Sequence, residues 1–400
     1  MKKKNNIFMS KALAGVLSLT SIFATASVPV YAENSTDTAV KSIACLSNNN
    51  SDILVDSKLK EFNNLDKVGK YLNFDYKVPD YIKDGGAVSL IRIMKADDKN
   101  SYLQLNFSAK TDKEHYEGTQ SLYEFAGDIE QNIKDIKYGD GSYVLSLQIS
   151  KEDKTLGSVN GMYVILNADL NSSFYDKGTE KDRNNEYSKF FVFTKDGVNY
   201  AVDTTDFDGE DDLNTEINKI DSSLKSPCDA EASKYVVDEA YNGCFSLEVY
   251  DKDDLNKATE YLGYTPKFLP EISDDIKIVN CEVYQDDYNG SKMTKFQCNY
   301  SYKNDGVVVF IQEKGNDNYG YKDVATNGYV MQTDYENNTS KKVPVEKLNW
   351  NNVDVYKYFD DCDNKYIYQW KIGNMYYFFE IYFGGEKENV DTIAKTLFDS

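Results

Sequence analysis

Apolar and polar residues alternate along most of this chain, and a period of two predicts strands. In the first half the alternation marks residues 88–94, 102–108, 143–150, 162–166, 190–194 and 198–202. In the second half it marks 276–284, 293–302, 307–312, 329–333, 353–358, 366–371 and 375–383. Turn residues punctuate the runs: Asn160-Gly161 against Asn327-Gly328, and Asp196-Gly197 against Gly373-Asn374. Helical spacing marks the ends of each half. Leu59, Phe62, Leu65, Val68 and Leu72 recur at steps of three and four, as do Leu255, Ala258 and Leu262. Leu213, Ile217, Ile220 and Leu224 close the first half, and Val390, Ile393, Ala394 and Leu397 the second. The first half has one further amphipathic stretch, residues 122–136, with no counterpart in the second.

The two halves repeat each other. Residues 65–78 (LDKVGKYLNFDYKV) return 190 positions later as 255–268 (LNKATEYLGYTPKF), with 5 of 14 positions identical. The identities are Leu65/Leu255, Lys67/Lys257, Tyr71/Tyr261, Leu72/Leu262 and Lys77/Lys267. Asn64 and Asp254 stand where helix N-caps belong. Asn73 matches Gly263, and these two residue types best tolerate the left-handed conformation that often ends a helix. The order helix, meander, helix predicts an α+β protein: two tandem copies of a curved antiparallel sheet flanked by helices. The expected division is 1–32 signal peptide, 33–52 flexible lead, 53–226 copy one, 227–250 connector and 251–400 copy two.

The start of the chain changes the picture from fold to location. Lys2, Lys3, Lys4 and Lys11 precede an apolar run to Val30, and Val30-Tyr31-Ala32 offers a small-residue cleavage pattern before Glu33. The chain is therefore expected to be secreted or to reside at the extracellular surface, with no transmembrane segment after cleavage. Removing the signal takes away four lysines and no acid, which leaves 41 basic and 66 acidic residues and a formal charge of −25. Such a surface repels nucleic acid and favours cations or basic partners. Only two arginines, Arg92 and Arg183, stand among many Lys, Asn, Asp and Tyr, a bias that points to an AT-rich bacterial genome.

Copy two resembles a bacterial extracytoplasmic domain family of unknown function, found in anti-sigma-factor-like and sporulation-associated envelope proteins. Tyr261-Leu262-Gly263-Tyr264, Lys267 and Pro270 carry the resemblance near its start. Trp370-Lys371-Ile372-Gly373-Asn374-Met375-Tyr376-Tyr377 and Ala394-Lys395-Thr396-Leu397 carry it near its end. The resemblance covers about 150 residues of copy two and copy one only weakly, where Phe193 stands near the place of the tryptophan. It implies no catalytic residues, and it implies binding above catalysis by analogy with half-barrel envelope folds.

The six cysteines, Cys45, Cys228, Cys244, Cys281, Cys298 and Cys362, have no metal-ligand spacing. If Asn289-Gly290 forms a two-residue hairpin turn, Cys281 lies opposite Cys298 as a close, non-hydrogen-bonded pair. A disulfide there would stabilise the fold by roughly 3 kcal/mol in the chain-entropy model. Cys228 and Cys244 form a second candidate pair across the connector.

No catalytic, cofactor-binding or metal motif stands out. His115, the only histidine, sits in a polar run without positioned partners and reads as an exposed loop residue. The run Asp206-Phe207-Asp208-Gly209 mimics part of a calcium loop, with Asp206 and Asp208 at ligand positions, but Thr204 and Thr215 occupy its first and twelfth positions and Glu216 misses by one. A turn and a helix N-terminus account for the same acids. Asp360, Asp361 and Asp363 around Cys362 read as another loop. The aromatic content, 33 Tyr, 20 Phe and 2 Trp, leaves one candidate ligand surface: Tyr366, Tyr368, Trp370, Tyr376 and Phe378. The pattern thus favours a non-enzymatic binding protein whose ligand is a peptide, glycan, lipid or protein. A carboxylate-dependent extracellular hydrolase and a structural or adhesive surface protein are the alternatives.

Overall fold

The computed structural model describes residues 53–55, 57–82, 86–95, 101–112, 115–139, 144–171, 183–237, 245–288, 291–303, 306–315, 317, 319–334, 339–382 and 390–400. The signal and lead segments, Cys45, Cys244 and Asn289-Gly290 lie outside them. The chain divides into two compact units, one of residues 58–238 and the other of 52–57 together with 239–400.

The α+β assignment is corrected: the described residues are mostly β, in large antiparallel sheets with few helices. Backbone pairing explains the difference, because a ladder propagates through N–H and C=O groups whether or not the side chains alternate. The run expected at 162–166 belongs to a strand spanning Val159–Asn171. Leu59, assigned to a helix by its spacing, lies in the strand Leu59–Glu61, which pairs with Arg92–Met94.

The N-terminal unit holds an eight-stranded antiparallel sheet. Its strands are β1 (Leu59–Glu61), β2 (Ala87–Lys95), β3 (Ser101–Asp112), β4 (His115–Phe125), β5 (Val144–Leu156), β6 (Val159–Asn171), β7 (Arg183–Lys195) and β8 (Val198–Asp203). Their order is β1-β2-β3-β4-β8-β7-β6-β5. Helix α1 (Ile129–Tyr138) lies in the β4–β5 connection and buries Ile133 and Tyr138 against Tyr102, Phe125, Val164 and Phe190. The expected amphipathic stretch 122–136 is therefore split, its first residues in β4 and the rest in α1, which starts from the N-cap Asp128. After β8, helix α2 (Glu210–Ser223) buries Leu213, Ile217 and Ile220.

Turn chemistry fixes these hairpins. Asp196 and Gly197, at φ 53° and 84°, join β7 to β8, as a turn with two left-handed residues requires. Asn160-Gly161 is no turn: the β5–β6 hairpin turns at Gly157-Ser158, and Gly161 pairs with Lys154 and Phe193 inside the sheet. Gly161 is needed for space, since a Cβ there would fall 2.7 Å from the Phe191 ring and closer still to the Val192 carbonyl.

The C-terminal unit holds a nine-stranded sheet. Its strands are β9 (Phe245–Glu248), β10 (Glu271–Ser273), β11 (Ile276–Tyr288), β12 (Ser291–Tyr302) and β13 (Gly306–Lys314), then β16 (Glu346–Trp350), β17 (Val353–Asp360), β18 (Lys365–Ile372) and β19 (Met375–Tyr382). Between β13 and β16 come helix α4 (Tyr321–Asn327) and a separate hairpin, β14 (Tyr329–Asp334) with β15 (Thr339–Pro344). The sheet order is β9-β11-β12-β13-β19-β18-β17-β16, with β10 also on β11. Helices α3 (Lys252–Leu262) and α5 (Val390–Asp399) cover one face, burying Ala258, Leu262, Ile393 and Leu397 against Val283, Phe296, Phe310 and Trp370. Residues 53–55, which the repeat places at the head of copy one, also serve this core: Val55 is fully buried in it, and the Leu54 and Val55 amides donate to the Tyr250 carbonyl.

The two sheet orders are the same. In each, a leading edge strand precedes a three-strand meander, and the third meander strand pairs with the last strand of a returning four-strand meander. The helix-end signals match less well. Gly263 ends α3 at φ 67°, ψ 22°, whereas residues 68–71 form a single helical turn that Leu72 ends in extended backbone. Asn73 has no positive φ, and its carboxamide oxygen accepts a hydrogen bond from the Ser101 hydroxyl. Asp254 is not the N-cap of α3. Asp251 caps the Asp253 and Asp254 amides, and Asp254 accepts from the Tyr250 amide in return.

Candidate functional site

The β18–β19 hairpin, turning at Gly373-Asn374, distributes its aromatics between two environments. Tyr366, Tyr368 and Trp370 share one face of β18, where the helices lie; Tyr368 and Trp370 are 0% and 1% exposed. Trp370 stacks on Tyr377 at 5.3 Å and meets Phe398 of α5 at 5.7 Å. Tyr376 and Phe378 point to the opposite face. The five residues grouped as one ligand surface therefore divide into three core residues and two on the far side.

The far side gathers groups that the sequence pattern did not single out. Tyr319, just before α4, stacks on Phe378 at 4.4 Å, and Tyr321 meets Tyr356 and Tyr376 edge-on at 5.5 and 5.8 Å. Beneath them Gln369 is 1% exposed; its amide nitrogen donates to the Tyr319 carbonyl and the Tyr358 hydroxyl. Its Oε1 is buried with no hydrogen-bond partner among the described residues. Glu313 is equally buried beside it, and the cleft between these residues encloses ≈ 10 Å³, room for one water. The segment Tyr319-Gly320-Tyr321, with Gly320 at φ 71°, was the available sequence signal.

Polar groups continue along the same face. Gln297 donates to Asn299, and Asn299 to Asn280, in a ladder of neutral amides. Lys365 sits 3.0 Å from Glu380 and donates to the Tyr382 hydroxyl, which donates to Glu380. Burial and the neighbouring Glu380 push the Tyr382 hydroxyl above its ordinary range. That closed triad leaves no free base. Asp317 also lines the cleft, but its two oxygens accept from the Tyr321 and Lys322 amides and so cap α4. Glycoside cleavage uses two carboxyl groups across one cleft; in this cleft Asp317 is engaged by two backbone amides and Glu313 is buried.

The other candidates resolve into local structure. Asp360 accepts from the Cys362 and Asp363 amides in the β17–β18 turn, and Asp361 pairs with Lys341. Asp206 accepts from the Ser121 amide, and burial raises its carboxyl to about 6; Glu210, Asp211 and Asp212 form the first turn of α2. His115 opens strand β4 rather than lying in a loop, and its side chain is outside the described residues. Cys281 stands opposite Cys298 in the β11–β12 ladder, both fully buried as free thiols with their sulfurs 2.7 Å apart. Cys228 is disulfide-bonded. A recess of ≈ 230 Å³ lined by Ile53, Leu54, Pro270, Lys277 and Ile278 holds no cluster of polar groups.

The cores of the two units correspond at the residue level. On the third meander strand, Glu124 accepts from the Lys77 amide in the N-terminal unit, and Gln312 from the Lys267 amide in the C-terminal one. Next to Glu124 comes Tyr200, then Phe193; next to Gln312 comes Tyr377, then Trp370. Both outer pairs stack, at 5.1 and 5.3 Å. The chain matches no protein-family model, no curated protein and no solved structure, so its resemblance to the envelope-domain family rests on the quoted motifs alone.

Proposed function

We propose that this chain is an exported bacterial protein built from two copies of one domain, and that it binds rather than transforms its ligand. The lysine-led apolar start supports export. Cys228 supports it too, since disulfides persist outside the reducing cytoplasm. The common strand order and the Lys77–Glu124 and Lys267–Gln312 correspondence support duplication.

The observation that carries the binding reading is the half-buried aromatic group of Tyr319, Tyr321 and Phe378, backed by the buried Tyr376, on the face away from α3 and α5. Beside it lie the amides of Gln297, Asn299 and Asn280, and Lys295, which donates to the Tyr319 hydroxyl. A cleft with room for one water cannot enclose a metabolite, so the ligand lies across the surface. Aromatic faces flanked by uncharged amide donors and acceptors suit the alternating apolar and hydroxyl surfaces of a neutral glycan. Protein collected from culture medium, expected to begin at Glu33, is run in gels containing soluble N-acetylglucosamine oligomers or neutral β-glucan. Retardation is expected, with affinity reduced at least about tenfold in a Tyr319→Ala/Phe378→Ala double variant. Equal retardation of the double variant, or none with either glycan, would refute this assignment.

A further inference from the structure

We propose that Cys281 and Cys298 close a disulfide across β11 and β12 as the chain folds, and that burial then fixes their oxidation state. The two residues face each other directly across an antiparallel ladder, with both sulfurs 2.7 Å apart in the core under α3 and α5. Directly opposed residues lie within the Cα span that a disulfide permits.

Packing alone does not call for sulfur at this place. In the N-terminal sheet the matching pair, one core row beyond the Glu124–Tyr200 row, is Ile91 opposite Leu105. Two aliphatic side chains fill the site there, fully buried. The thiols therefore add a chemistry that the fold does not need. Cys228 is disulfide-bonded in the same fold, which is consistent with folding in the presence of an oxidant.

The step is thiol–disulfide exchange with a small-molecule disulfide. One cysteine thiolate attacks the oxidant, forms a mixed disulfide and releases one thiol. The second thiolate then displaces the other half. Two protein thiols thus lose two protons and two electrons, and the oxidant's S–S bond becomes two thiols. Attack needs a thiolate and an open path. Once the sheet is packed, both cysteines are 0% exposed, which closes the path, and burial pushes the Cys281 thiol up, which disfavours its thiolate. Cys362 is exposed and serves as an internal control.

The full chain is unfolded and reduced in urea, then refolded in a glutathione redox buffer, alkylated and mapped by mass spectrometry. A 281–298 crosslinked peptide is expected, with Cys362 alkylated or carrying glutathione. Dithiothreitol should then reduce the 281–298 bond at least ~100-fold more slowly in native buffer than in denaturing urea, because only an opened state admits the reagent. Recovery of both cysteines as alkylated thiols, or crosslinked to other partners, overturns the bond. Equal reduction rates in the two buffers overturn the locking.

Discussion

A single buried carboxyl separates the two units most clearly. Glu124 is 0% exposed and receives one backbone amide, where its counterpart Gln312 offers a neutral carboxamide. Desolvation pushes the Glu124 carboxyl well above its ordinary 4.5, with the Lys77 amide opposing the shift only in part. The folded state thus holds the proton more tightly than the unfolded chain. Stability from this group is full below pH 4.5 and falls as pH rises towards the folded value. Asp206, raised to about 6, acts with the same sign at lower pH. Glu124→Gln should keep the Lys77 contact and flatten this slope. We expect a gain of about 1–3 kcal/mol near pH 8 and little change near pH 4. Urea titrations at both pH values check it; a variant weaker than the parent at pH 8 would contradict the neutral-acid account.

At the scale of elements, helix ends carry much of the specification. In α3, Asp251 accepts from two amides of the first turn and Asp254 answers to the Tyr250 amide, while Gly263 closes the far end in the left-handed region. Replacing Asp251 with Ala removes both amide partners and should cost about 1–2 kcal/mol, with Asp251→Asn recovering most of it. Trp350 and Trp370, the protein's only tryptophans, both lie in the C-terminal unit, so their fluorescence reports the urea midpoint of that unit. An unshifted midpoint in Asp251→Ala would show that the cap contributes nothing. The corresponding region of the N-terminal unit has one helical turn and no such cap, although residues 65–78 share five identities with 255–268. Shared letters there did not mean shared dihedral angles.

At the scale of the molecule, the chain contributes to the C-terminal unit twice, through residues 52–57 and again from 239 onward. Val55 is fully buried among Val249, Ala258 and Ile276. Val55→Ala should therefore lower the tryptophan-reported transition by about 2 kcal/mol, although residue 55 lies ahead of residues 58–238 in sequence. Amide hydrogen exchange separates the units: peptides from β3–β8 should keep their protection. Loss of protection there, with an unchanged tryptophan transition, would reassign Val55.

Local sequence determined what local physics controls. Period-two alternation located most strands, Asp196-Gly197 fixed its hairpin, and the spacing of Val390, Ile393, Ala394 and Leu397 set the buried stripe of α5. Counting outward from Asn289-Gly290 set Cys281 opposite Cys298. Tertiary structure decided what depends on distant partners. Leu59 became strand because β2 offers a ladder, and Asn73 stayed out of the left-handed region because its helix is one turn long. Trp370 and Phe378, eight residues apart, went to opposite faces, one under α5 and the other under Tyr319. Alternation separates the two faces of a strand but carries no information about which face a remote segment will cover.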